Sequence, residues 1–343
     1  MKIIVDAMGG DNAPEAAVAG AAMAAQTFRE EIVLVGRQDV ISDILKAGHL
    51  DNGLPTGRLT VVHAPDIVDM HDDPATVLRS KPESSMAVAL KMLKKGEGDA
   101  VVSAGNTGAL LSGATLYGGR IKGIRRAALA PLMPCRGGRV MLVDAGANTE
   151  CTPEYLLQFA FLGSFYMEKI RGIAKPRIGL VNNGTEDTKG DALRRETYAL
   201  LRAAADAGRL NFVGNVEGSG VVSGECDVAV CDGFSGNILL KTIEGVAKFM
   251  GGEIKNVFTH TALTKVGYLA CAKEMRAFQE MFNQDKVGGA PFLGVAKPVI
   301  KAHGSSNETA FLHAVRQAIA YTKSGMIETV QRNIEYMTVQ NAE

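Results

Sequence analysis

The sequence predicts an α/β protein built on a largely parallel sheet, and three observations carry that prediction. Short apolar runs rich in strand formers alternate with longer helical patterns along most of the chain, the signature of βαβ units. Several runs are apolar throughout and do not alternate, as strands are when helices cover both faces of a sheet. The 343 residues are 46% hydrophobic and 22% charged, which suits a well-buried globular chain forming one large unit or two intimate lobes.

In order, strands are expected at residues 3–6, 32–35, 59–63, 99–103, 127–130, 140–144, 178–182, 212–215 and 227–231. Helical patterns fill 14–28, 84–94, 107–116, 153–168, 191–207 and 307–322. No Pro/Ser-rich linker, low-complexity tract or fixed-period repeat divides the chain, so 1–343 reads as a single α/β catalytic unit. The stretch from Asn237 to Glu280 differs, being long, helical in pattern and poor in strand formers. Gly251-Gly252 and a turn-like 259–264 interrupt it, which predicts a helical hairpin over 237–285 projecting from the sheet core.

Lys plus Arg and Asp plus Glu are 37 each, which argues against a general nucleic-acid binder. The N-terminus enters a strand at once without a signal core, and no run of about 18 apolar residues is free of charge. Five cysteines form no CxxC pair and read as packing residues, not zinc ligands. A cytoplasmic protein with reduced thiols is expected.

The chemistry is expected in glycine-, asparagine- and serine-rich loops. Most follow a strand, and in an open parallel sheet such loops gather at the carboxyl ends, where ligands bind. Helix N-termini there offer free N–H groups to an anion. The first loop, DAMGGDNAP at 6–14, places Asp6 at a strand end, Gly9 and Gly10 in a close backbone approach, and Asp11 or Asn12 as a cap before Pro14. Taken alone it reads as a tight capped turn. The second, SAGNTGAL at 103–110, is the best phosphate cradle, with Ser103, Asn106 and Thr107 around Gly105. It lacks a Walker lysine and does not match GxGxxG, so neither an ATPase nor a dinucleotide fingerprint is supported. The third carries Asp144 and Asn148. The fourth, NNGTEDTKG at 182–190, brings Glu186 and Lys189, the latter either a phosphate cation or a solvated surface lysine. The fifth, CDGFSGN at 231–237, holds Asp232, Ser235 and Asn237 ahead of a helix carrying Lys241. The last, GGAP at 288–291, is followed by AHGSS at 302–306. Together these loops argue for one shared anion-binding cleft.

His303 reads either as a general base or as a histidine held by backbone hydrogen bonds. Asp6, Asp144 and Asp232 either bind a metal or cap loop amides, and capping is favoured. The run His71-Asp72-Asp73-Pro74 reads as a solvated turn, since consecutive residues do not form a metal comb. No metal site is expected.

Taken in order, the blocks DAMGGDNAP, SAGNTGAL, DAGAN at 144–148, GNVEG at 214–218, CDGFSGN, GGAPFLG at 288–294 and AHGSSN at 302–307 resemble the phosphate acyltransferase family of bacterial phospholipid synthesis. They span residues 6 to 307. The resemblance implies a homodimer with a Rossmann-like three-layer α/β/α core, similar to phosphotransacetylases and isopropylmalate-type dehydrogenases. It implies acyl carrier protein and inorganic phosphate as partners, no redox cofactor, and delivery of acyl phosphate to a membrane glycerol-phosphate acyltransferase. Asn12 stands where relatives often carry histidine, so it is assigned binding and no acid/base role.

For such a reaction phosphate is itself the nucleophile, and a thiol of pKa about 8.5 leaves readily. What is needed is placement, charge compensation and donors for the developing oxyanion. The residues suggest that Lys189 and the 103–107 loop hold phosphate, helped by Asn148 or Ser235. Backbone N–H groups near Gly233 to Asn237 would then face the thioester oxygen, with His303 as base or donor. Lys248, Lys255, Lys265, Lys273 and Arg276 against Glu253 and Glu274 make the hairpin basic, and apolar residues are interleaved among them. That composition suits carrier protein, an anionic membrane surface or a dimer contact. The rivals are an acyl-CoA phosphotransacetylase, an NAD-dependent decarboxylating dehydrogenase and a non-catalytic scaffold that docks carrier protein.

Overall fold

A computed structural model describes residues 1–282 and 287–339. The chain begins β1 (Lys2–Asp6), α1 (Glu15–Thr27), β2 (Glu31–Gly36), α2 (Gln38–Ala47), β3 (Leu59–His63), α3 (Val77–Ser80), α4 (Ser85–Lys95), β4 (Ala100–Ser103) and α5 (Thr107–Gly113), which runs on as a wider turn over Ala114–Gly118. It crosses through β5 (Ala128–Leu129), β6 (Leu132–Cys135) and β7 (Gly138–Val143) into α6 (Pro153–Lys169), β8 (Arg177–Val181), α7 (Ala192–Asp206), β9 (Asn211–Val216), α8 (Gly218–Ser223) and β10 (Val228–Val230). Three helices follow: α9 (Gly233–Thr259), α10 (Ala262–Ala270) and α11 (Ala272–Met281). The chain then returns as β11 (Ala290–Leu293), β12 (Val299–Lys301), α12 (Glu308–Lys323) and α13 (Met326–Arg332).

The strands form two sheets. Seven strands run in the order β3-β2-β1-β4-β12-β11-β5, and five in the order β6-β7-β10-β8-β9. Neighbours from β3 through β12 are parallel, as are those from β7 through β9, while β11 and β6 pair antiparallel. The long parallel stretches match the expectation from wholly apolar runs, and β1, β2, β4 and β10 are indeed buried almost throughout. One apolar cluster contains side chains of both sheets, among them Ile3, Val5 and Val102 with Met141, Val143, Ile178 and Val228.

All nine expected strands and six expected helices are present within a residue or two at most ends. The strands that were not expected carry unfavourable local signals. β6 and β11 contain Pro134 and Pro291, β12 has three residues, and the GGAP segment that reads as a loop becomes the start of β11. In the projecting region the turn near 259–264 is real: Thr261 caps α10 and exchanges hydrogen bonds with Thr264. Gly251-Gly252 does not break the chain, because α9 runs unbroken through it. Glycine in one exposed turn costs a helix only about 1 kcal/mol per residue. A third helix, α11, extends the expected hairpin, whose residues 283–285 lie outside the described residues.

Candidate active site

The loops after β1, β4 and β12 interlock. Ser103 Oγ donates to Asp6 Oδ2 at 2.7 Å, and Met8 N–H donates to Asp6 Oδ1 at 3.2 Å. Burial pushes the Asp6 carboxyl up, opposed by hydrogen bonds from Ser85, Ser103 and Met8 and by the charge of Lys301. Gly9 and Gly10 are required by contact. A Cβ on Gly9 would lie 2.7 Å from the Gly105 nitrogen, and Gly10 has φ +112°. Asp11 N–H donates to Gly304 O at 2.7 Å, and Asn12 Nδ2 reaches the carbonyls of Ser305 and Ser306 at 3.1 and 3.3 Å. His303 is exposed at the edge of this cluster. Its Nδ1 accepts from Ser305 N–H at 3.2 Å, so the neutral ring carries its hydrogen on Nε2 and has a donor to offer.

Asn106 caps α5, with Oδ1 accepting from Ala109 N–H at 3.0 Å, while Nδ2 reaches the carbonyls of Met70 and Asp72 at 3.1 and 3.4 Å. The segment around His71 therefore folds over the start of α5, where Thr107 is the first helical residue, and Lys81 anchors Asp72 at 2.5 Å. At the end of β12 stands Lys301, only 8% exposed. Its ammonium donates to Ala104 O at 3.0 Å and Ala302 O at 2.5 Å. Burial holds its pKa down to about 8, with Asp11 and Asp6 pulling it up and Lys241 pushing it further down.

A second cluster forms at the ends of β7, β8 and β10. Asp144 accepts from Leu129 N–H (2.9 Å), Ala147 N–H (3.1 Å), Asn148 N–H (2.6 Å) and Asn148 Nδ2 (2.9 Å). Asn148 also donates to Ala127 O at 2.8 Å, and its carbonyl accepts from Gly233 N–H at 2.7 Å. Asp232 caps α9, accepting from Ser235 N–H at 2.8 Å and Ser235 Oγ at 2.9 Å. Arg194 on α7 bonds Asp232, Ser235 Oγ at 2.9 Å and Asp191 at 2.8 Å. Only glycine lets α9 start so close to β7, since a Cβ on Gly236 would fall 1.9 Å from Asp144 O. Beside this group opens a cleft of about 460 Å³ lined by Val181, Asn182, Asn183, Gly190, Asp191, Arg194 and Ser235. Lys189 adjoins its rim: its carbonyl accepts from Asn182 Nδ2 at 3.2 Å, and its half-exposed ammonium lies 3.9 Å from Glu186. Asn215 Nδ2 holds the Glu186 carbonyl at 2.7 Å.

The three strand-end carboxylates thus act as loop caps, the favoured alternative. The N–H groups of Gly233, Ser235 and Gly236 are bonded to Asn148 O, Asp232 Oδ1 and Asp232 O, and Asn237 Nδ2 donates to Ala145 O at 3.3 Å. These groups are engaged in fixing the start of α9. Lys189 and the 103–107 loop follow strands of different sheets, β8 and β4. Lys241 spans that division electrostatically, acting on Lys301 from α9. Arg194 and Lys301 escaped the sequence reading. The first sits in an ordinary amphipathic helix pattern. The second had a weak signal, a lysine closing the apolar run Val-Ile just before Ala-His-Gly.

The model of the fatty acid synthesis protein family matches residues 1–329. Phosphate acyltransferase from Thermoanaerobacterium thermosaccharolyticum is 44% identical over 335 residues, 98% of this chain and 97% of that protein. Phosphate acyltransferase from Clostridium acetobutylicum is likewise 44% identical, over 98% of this chain and 99% of its own. Among solved structures, a phosphotransacetylase from Streptococcus pyogenes superposes with a TM-score of 0.61 at 17% identity, covering 94% of both chains. The EutD phosphotransacetylase from Staphylococcus aureus gives 0.62 at 13% identity, again over 94% of both. At those identities the structures are alike in fold.

Proposed function

The chain belongs to the phosphate acyltransferase family, and from that premise we propose that its acyl donor is an acyl-carrier-protein thioester, attacked directly by inorganic phosphate. A phosphate oxygen bonds to the carbonyl carbon, the carbon–sulfur bond breaks, and the carrier thiolate leaves to take up a proton. Acyl phosphate is released and passes to a membrane acyltransferase that uses glycerol phosphate.

The observation that carries direct attack is the state of the side chains that would otherwise take the acyl group. Cys151 and Cys231 lie in the second cluster, and burial pushes the first thiol up to about 12 and the second well above its ordinary value. Such thiols are inert. Ser235 Oγ is bonded to Asp232 and Arg194, neither of which activates a hydroxyl as a histidine base would. Placement and charge therefore do the work. Phosphate is taken up where the loops after β1, β4 and β12 meet, beside His303 Nε2–H and Lys301 and towards Lys241. The pantetheine arm lies in the polar cleft, where Asn182, Asn183 and Ser235 offer amide and hydroxyl partners.

Palmitoyl-carrier and palmitoyl-CoA, each with phosphate and hydroxylamine to trap the product, test the donor. A carrier preference of about tenfold or more in kcat/KM is expected. Equal use of CoA would move the chain to the acyl-CoA phosphotransacetylase reading.

The projecting helices fit association. Val246, Phe249 and Val257 on α9 are each more than half exposed, as are Leu263, Val266 and Leu269 on α10. An apolar surface of that kind marks an interaction site. A second copy of the chain covering α9, with the apolar α10 tip and the cations spread over α9 to α11 meeting an anionic membrane surface, accounts for both the apolar and the charged character of these helices.

A further inference from the structure

The Lys301 ammonium is enclosed by two neutral carbonyls, Ala104 O at 3.0 Å and Ala302 O at 2.5 Å, and among the described residues no carboxylate pairs with it. Holding a charge there is costly, and the clip between the two loops does not need one. A neutral amine keeps two N–H groups, enough for both carbonyls. The charged groups that face it are Asp6 on β1, Asp11 in the loop after β1, and Lys241 on α9. His303 lies two residues further along its own loop.

We propose that Lys301 is a positioning residue for phosphate: it clips the loop after β4 to the loop after β12 and holds a fixed positive charge behind them. This rests on phosphate being taken up at that cluster. Its two tasks separate on titration. Deprotonation removes the charge and leaves the clip, so the affinity for phosphate falls while the arrangement of the loops persists. Burial places that event near pH 8, and the ionisation of phosphate itself is common to wild type and variants, so it cancels when their profiles are compared.

The measurement is the pH profile of acyl-phosphate formation in wild type and three variants, with phosphate varied. In wild type the phosphate KM should climb through a midpoint near 8, with kcat nearly level. Lys301→Met should flatten that limb and raise the phosphate KM about tenfold at neutral pH. Asp11→Asn removes an attractive charge and should move the limb to lower pH. Lys241→Met removes a repulsive one and should move it higher, each by about a few tenths of a unit. A limb that persists in Lys301→Met, with phosphate KM within about twofold of wild type, overturns the proposal. If Lys301→Met does not fold, the opposed shifts of the other two variants decide it, and shifts that are absent or of the same sign overturn it. If wild type makes no acyl phosphate, the reading of the reaction has failed. The Lys301 assignment is then decided by the gain in Tm that inorganic phosphate gives to wild type and to Lys301→Met, and equal gains overturn it.

Discussion

Lys189 and Arg194 lie beside the same cleft but are charged to different ends. Arg194 is largely enclosed and bonded to Asp191, Asp232 and Ser235, so its charge is matched and its work is to fix the start of α9. Lys189 is half exposed, and among the described residues its one ion pair is with Glu186 at 3.9 Å, worth about 0–1 kcal/mol at most. Its ammonium is therefore available to a ligand in the cleft. Lys189→Ala should leave folding intact, raise the KM for acyl-carrier about threefold or more, and change the phosphate KM less than about twofold. Initial rates with each substrate varied in turn check this. A larger effect on phosphate would instead support the sequence-based expectation that Lys189 holds it. At this scale the sequence revealed positions better than roles. Asp6, Asp144 and Asp232 stood out because each ends a strand before a glycine-rich loop, and their capping role follows from that place. Lys301 did not stand out, because a lysine after two apolar residues looks the same whether it is enclosed or solvated. Burial there is decided by β4 and by the loop after β1, both about 200 residues or more away in sequence.

At the scale of elements, the parallel strands were legible because burial on both faces imposes a continuous apolar run. The short antiparallel strands β6 and β11 were not, since a proline within four residues erases the local signal and only pairing with β7 and β12 makes them strands. The helices α9 to α11 were legible as a helical segment standing apart from the strands. Leu263 is 81% and Val266 64% exposed, and cations are interspersed along the same helices. With both changed to Asp, the apolar tip gains two negative charges without disturbing any buried contact. Co-sedimentation with vesicles containing anionic lipid should be lost in this double variant, while its mass in solution stays that of the wild type. Undiminished sedimentation would assign the tip elsewhere, and a change of mass would place it in the contact between copies.

Over the whole molecule, the two sheets present separate loop clusters, and α9 carries the charge of Lys241 from one towards Lys301 in the other. That division suits a reaction with two dissimilar substrates, a small dianion and a long thioester arm, which meet without an intermediate on the protein. The family was legible from the order of seven glycine-rich blocks. The split into two sheets was not, because only β5 and β7 read as strands there, and β6, the first strand of the second sheet along the chain, had no local signal. Direct attack of phosphate on the thioester is distinguished from a course through an acyl-enzyme by exchange of label in the absence of phosphate. Acyl-carrier is mixed with enzyme and isotopically labelled free carrier, and acylation of the labelled carrier is followed. Direct attack predicts no labelled acyl-carrier until phosphate is added. Labelled acyl-carrier formed without phosphate would require an acyl-enzyme and would rule direct attack out.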